Sequence, residues 1–257
     1  MKIRIYSILL VSVLLSLSVS AQGLKDEHKG VYRAYDFDAP RVDEPAPKGY
    51  EVFCLSHYGR HGSRFLYNEA EYDTLNVVLN RESLTATGEK VRDKFNENYP
   101  IFKGRAADLT ELGQKQHRLL ARRMMDDYPN LFRKGSEVYA FSSDRTRCMM
   151  SMYCFLDELR LCRNGLDIHA DYNSSYLKYL RAQNTEPFDM KAYLRDNFDP
   201  QSVFERLFTS PEKAMSSTDP WNFAQELYYY ASHLDGAGIK DDFWSDVLSE
   251  DEVNAIH

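Results

Sequence analysis

Glu51-Val52-Phe53-Cys54-Leu55-Ser56-His57-Tyr58-Gly59-Arg60-His61-Gly62-Ser63-Arg64 joins an apolar run to a loop in which one histidine stands between two arginines. The first five residues have the composition of a buried strand. The carboxyl end of such a strand delivers the loop to the edge of an open α/β sheet, where ligands bind. Arg60 and Arg64 carry planar, permanently charged forks suited to phosphoryl oxygens. An imidazole between them can attack phosphorus through one ring nitrogen, provided a hydrogen bond to the other fixes the tautomer. Gly62 lets the backbone turn sharply. The loop predicts a phosphate site with His61 as nucleophile. The spacing of His57 and His61 also suits a helical zinc pair. Gly59 and Gly62 argue against a helix, no glutamate follows His57, and no third ligand is evident, so no metal is assigned.

Two later segments add to this. Leu109-Thr110-Glu111-Leu112-Gly113 opens a helical pattern that runs to about Tyr128, with Leu112, Leu119, Leu120 and Met124 on one face and Thr110 as its cap. Val138-Tyr139-Ala140-Phe141 reads as a second buried strand. It leads through Ser142-Ser143-Asp144 into a helix carrying Arg145-Thr146-Arg147-Cys148-Met149. Arg147 then lies at a helix amino end, where the backbone favours an anion. Asp144 and Thr146 are the default caps, and the Met and aromatic stripe that follows is ordinary core.

The three blocks, in this order over residues 50 to 165, resemble the histidine phosphatases, in the branch that holds histidine acid phosphatases and phytases. Arg60, His61, Gly62 and Arg64 match the Arg-His-Gly-x-Arg-x-Pro signature; Leu66 stands where that signature has proline, a departure that touches loop stiffness rather than chemistry. The Arg-Cys-Met triplet after a Ser-Ser pair resembles the multiple inositol polyphosphate phosphatases in particular and favours Arg147 over Arg145 as the third phosphate-binding arginine. The resemblance implies an α/β sheet core with helices on both faces and an inserted helical cap. It also implies hydrolysis of phytate or similar phosphomonoesters through a phosphohistidine at His61, with Arg60, Arg64 and Arg147 holding phosphate and no cofactor. The family takes its proton donor from a His-Ala-Glu or His-Asp motif downstream of the cap. His233-Leu234-Asp235 does not fit that motif, and no His-Ala-Glu occurs in the chain. The expectation is therefore a core that is incomplete in this chain. Two rival readings go with it: a phosphate-ester binding protein without turnover, and an inactive fragment.

Residues 1–21 carry Lys2 and Arg4, an apolar run from Ile8 to Leu15, and an end at Ser20-Ala21, the pattern of a cleaved secretory signal rather than a membrane anchor. This predicts an exported chain, periplasmic or extracellular. The formal charge is −7, and losing Lys2 and Arg4 makes it −9. Such a balance disfavours nucleic acid as partner and leaves room for a small phosphate ester, because clustered arginines reverse the field locally. Cys54, Cys148, Cys154 and Cys162 are open to disulfides in an oxidising compartment, with pairing not deducible; Cys54 and Cys148 equally suit small buried positions. Residues 22–49, with Pro40, Pro45 and Pro47, predict an extended arm that wraps the domain. Residues 50–170 then form the first part of the core and 171–257 a partial cap. The cap includes a helix from Trp221 to His233 whose tyrosines pack rather than react.

Overall fold

The computed structural model describes residues 23–38, 46–180, 189–241 and 243–256. The signal-like segment and Pro40 and Pro45 lie outside them. Two helices follow the loop of residues 60–64, α1 (Glu69–Arg81) and α2 (Ala86–Phe102). Next come α3 (Glu111–Asp127), β1 (Glu137–Ser142), α4 (Thr146–Cys162) and β2 (Asp167–Tyr172). The remainder is helical: α5 (Leu177–Leu180), α6 (Met190–Asn197), α7 (Gln201–Leu207), α8 (Pro211–Ser216), α9 (Pro220–His233) and α10 (Glu250–Ile256). No helix among the described residues is long and apolar enough to cross a membrane.

β1 and β2 pair in parallel, from Glu137 opposite Asp167 to Ser142 opposite Tyr172, with α4 as the crossover between them. One face of this ribbon, through Val138, Ala140 and Ile168, packs on the apolar rows of α3 and α4, including Ala121, Met125, Leu156 and Leu159. The other face carries Tyr139 and Phe141, both exposed. A second, larger core joins α1 and α2 to α6 to α10 around Tyr72, Phe95, Phe204, Phe223, Tyr230 and Trp244. The tyrosines of α9 pack there, as expected.

Three expectations are corrected. Residues 51–55 form no strand: Phe53 is 90 % exposed, Cys54 is exposed, and only Leu55 touches the sheet-side core. A strand forms only where a neighbour accepts its hydrogen bonds, and the ribbon offers this stretch no partner. On α3 the buried row is Gly113, Gln116, His117, Ala121 and Met125, not the leucines. Its first half is polar because it faces loop backbone that needs hydrogen bonds. The cap of α4 is Arg145, with no side-chain bond, so neither Asp144 nor Thr146 serves. Thr110 does cap α3, accepting from the Gly113 N–H. All four cysteines are unpaired, and only Cys154 is buried.

Candidate active site

The loop of residues 60–64 is fixed between the amino ends of α3 and α4. The Gly62 N–H donates to Ser151 Oγ on α4 at 3.1 Å, and the Ser63 N–H donates to Gln116 Oε1 on α3 at 2.8 Å. The Ser63 carbonyl accepts from both the N–H and the hydroxyl of Thr110, at 2.9 and 3.0 Å. Arg64 then bridges antiparallel to Leu109. Gly62 and Gly113 meet backbone to backbone: a Cβ on Gly62 would stand 2.4 Å from the Gly113 carbonyl oxygen, and one on Gly113 2.2 Å from that of Ser63. Gly62 has an ordinary φ, so close approach rather than a left-handed turn requires glycine there. This contact gives the Leu-Thr-x-x-Gly segment a physical meaning as the floor of the loop.

Around the loop opens a cleft of about 280 Å³ whose lining includes Arg60, His61, Arg64, His117 and His233. His61 Nδ1 lies 2.8 Å from the Gly62 carbonyl oxygen, which can only accept. The proton is therefore on Nδ1 and the lone pair on Nε2. Burial pushes the His61 pKa down to about 4; its bond to Gly62 opposes this, and the charges of Arg60, Arg147 and Arg64 reinforce it. Burial likewise brings His117 to about 4, with the charge of His57 adding to it and a hydrogen bond to the Arg60 backbone resisting it. His57 is held by stacking on Phe155, ring centroids 6.1 Å apart, and burial lowers its pKa.

The three arginines differ in how they are held. Arg60 Nη1 donates to the Val31 carbonyl at 2.9 Å, so the amino-terminal segment reaches the site. Arg64 donates to the Phe65 carbonyl at 2.7 Å and lies 5.5 Å from the centroids of both Tyr32 and Tyr67. Arg147 does not line the cleft. Its guanidinium lies 5.3 Å from the centroid of Tyr67, the ring that Arg64 also faces, while its charge acts on His61 and Arg60. The Nε of Arg64 and that of Arg147 are buried without a hydrogen-bond partner, which leaves donor capacity for an anion. Arg145 points elsewhere, 58 % exposed and beside Asp144.

Sequence reading passed over the contributions of Val31, Tyr32, Gln116, His117 and Ser151. Gln116 and His117 follow the Leu-Thr-x-x-Gly start by three and four residues, so helical spacing from Gly113 could have pointed to them; the arm residues carry no such signal. His169-Ala170-Asp171 on β2 has suggestive residue types but does not line the cleft, and Asp171 accepts from the Tyr176 hydroxyl at 2.6 Å. No carboxylate lines the cleft among the described residues.

Residues 57–160 match the family model described as Histidine phosphatase superfamily (branch 2). No curated protein matches the chain. Among solved structures, the phytase from D. castellii is similar in fold, with a TM-score of 0.52 at 12 % sequence identity over 76 % of this chain. The match takes in 47 % of that phytase, so the chain spans just under half its length. The small parallel sheet with its helical region is thus the α/β architecture of a histidine phosphatase. The stretch that matches the histidine phosphatase superfamily, branch 2, thus runs from the His61 loop through most of the Arg147 helix.

Proposed function

We propose that this site is the phosphoryl-transfer centre of an exported phosphomonoesterase of the multiple inositol polyphosphate phosphatase type, acting on phytate or similar esters. The observation that carries the reading is the His61 tautomer, with Nδ1–H given to the Gly62 carbonyl and Nε2 left free beside Arg60 and Arg64. An imidazole held near pKa 4 is uncharged, and so nucleophilic, in weakly acidic media. Nε2 would attack phosphorus, forming the N–P bond as the ester P–O bond breaks. Water would then displace the imidazole, releasing orthophosphate. Arg60 and Arg64 would offset charge gathering on the phosphoryl oxygens; Arg147 would join them by a side-chain rotation away from Tyr67. The Arg-Cys-Met triplet supports the inositol polyphosphate class, and the similarity in fold to a phytase is in keeping with it. The signal-like residues 1–21 support export.

The leaving alkoxide needs a proton, and no carboxylate lines the cleft among the described residues. That observation favours a second reading, phosphate-ester binding without turnover by this chain. Rapid-quench labelling with ³²P-phenyl phosphate and ³²P-phytate separates the two. A phosphohistidine, stable to alkali and lost in acid, should form from the phenyl ester and vanish in His61→Ala. Labelling from phytate should be slower by roughly 100- to 10,000-fold, the usual worth of general acid catalysis, because a phenolate leaves unprotonated and an alkoxide does not. Binding of both esters with no label from either would leave the second reading. Undiminished label in His61→Ala would refute the first.

A further inference from the structure

We propose that the amino-terminal segment from His28 to Tyr35 is a wall of the phosphate cleft, and that Arg33 on it contacts a second phosphate group of a polyphosphorylated substrate. The inference rests on the phosphoryl-transfer reading of the His61 site and concerns another part of the same cleft lining.

The segment is short, two single 3-10 turns at Asp26–His28 and Gly30–Tyr32, yet it is tied down along its length. The Tyr228 hydroxyl donates to the His28 carbonyl at 2.7 Å. Lys29, almost wholly buried, pairs with Asp26 at 2.8 Å and with Asp235 just beyond α9. The Val31 carbonyl takes the Arg60 guanidinium, the Tyr32 ring takes that of Arg64, and the Tyr35 hydroxyl accepts from Arg123 at 2.8 Å. Such anchoring turns an irregular segment into a fixed surface. Val31, Tyr32, Arg33 and Tyr35 all line the cleft.

Arg33 stands apart from its neighbours. Its side chain has no ion pair or hydrogen bond among the described residues, and Asp26 is the carboxylate within its electrostatic reach. It lines the cleft with its guanidinium unbonded, whereas those of Arg60 and Arg64 are held by the Val31 and Phe65 carbonyls. The cleft thus presents three guanidiniums and no carboxylate among the described residues, with Arg147 outside the lining beside Tyr67. One phosphoryl dianion is already matched by Arg60, Arg64 and Arg147. Apart from Asp26, which does not line the cleft, a fourth guanidinium on this segment has no charge to meet unless the ligand carries another phosphate. A small polyol bearing several phosphates would meet it, whereas orthophosphate or a simple monoester would not.

The test is equilibrium binding to the full chain by titration calorimetry, with myo-inositol hexakisphosphate and orthophosphate as separate probes. Arg33→Ala should weaken hexakisphosphate binding about 10-fold, the scale of a single charge-assisted hydrogen bond at an open site, and orthophosphate binding less than about 2-fold. Arg33→Lys should recover part of the loss. Equal weakening of both probes would show that Arg33 acts only through the loop or the general field, and no change in either would remove it from the site; each overturns the proposal while leaving the His61 reading intact. Failure of the wild-type chain to bind either probe would overturn both.

Discussion

Leu66 departs from the family signature, and its backbone shows how the departure is accommodated. Its N–H donates to the Tyr72 hydroxyl at 2.9 Å, that hydroxyl lies 3.1 Å from His233 Nε2, and His233 Nδ1 lies 2.7 Å from the Tyr230 carbonyl. Only one set of directions satisfies all three. Nδ1–H donates to the carbonyl, so Nε2 accepts from Tyr72, whose oxygen accepts from Leu66. Proline has no N–H and could not begin this chain, so the substitution changes more than loop stiffness: it ties the loop to α9. We expect Tyr72→Phe to cost about 1–3 kcal/mol of stability by leaving a buried N–H unpaired. In a Leu66→Pro background the same change should cost less, giving a coupling of about 1 kcal/mol in a urea-unfolding double-mutant cycle. Additive losses would mean that the hydrogen bond contributes nothing. That Arg60, His61 and Arg64 line one cleft was legible because they stand within five residues of one loop, whereas the place of Arg147 outside it was not. The Tyr72–His233 connection was not, since it joins residues 161 positions apart through groups common in any core.

At the scale of elements, α3 sets the height of the His61 loop through Gly113. Alanine is the better helix former by about 1 kcal/mol, so Gly113→Ala would stabilise an isolated helix. Here its Cβ would stand 2.2 Å from the Ser63 carbonyl oxygen, and backbone cannot yield as a flexible side chain does. The clash should win, with a net loss of about 1–3 kcal/mol, the usual cost of overpacking, and weaker orthophosphate binding. Urea unfolding and calorimetry check both, and a stabilised variant would show that the loop can retreat. Of the helices, α3 was readable from its apolar pattern and from Thr110, since capping and amphipathicity are local, whereas α1 was not expected from the sequence. Residues 51–55 were misread because β-prone composition specifies a strand only when a partner strand is supplied, and partners are not local. The buried face of α3 was misread for a related reason: the periodicity follows leucines, whereas this helix buries the residues that serve a loop.

For the whole molecule, the buried titratable groups predict how stability follows pH. Burial holds His61, His117 and His233 at about 4 against an ordinary 6.5, so their folded pKa values are depressed and the fold favours the uncharged rings. Each contributes stability that is present above pH 6.5 and is lost as pH falls towards 4. Glu226 acts the other way, because burial raises it from 4.5 to about 7 and its contribution is lost as pH rises through that value. Between pH 4.5 and 6.5 three groups oppose one, so the unfolded chain binds more protons and stability should rise with pH. Thermal melting from pH 4.5 to 7 should show a rising Tm. Glu226→Gln should raise stability at pH 8 relative to pH 5, and a Tm that falls over the acidic window would contradict this account.

The His61 loop lies along the boundary between two hydrophobic cores, receiving Ser151, Gln116 and Thr110 from the sheet side while Gly236, just past α9, packs on Ser63 from the other. An anion gripped there would act as a rivet as well as a ligand. Occupancy adds stability in proportion to the logarithm of ligand concentration over Kd, and at a boundary that gain opposes the parting of the two halves rather than the fraying of either alone. Amide exchange in α3 and α9 should therefore slow together when phosphate is added, by a similar factor in each. Retardation confined to α3 would mean that the halves breathe independently and that the loop belongs to one of them.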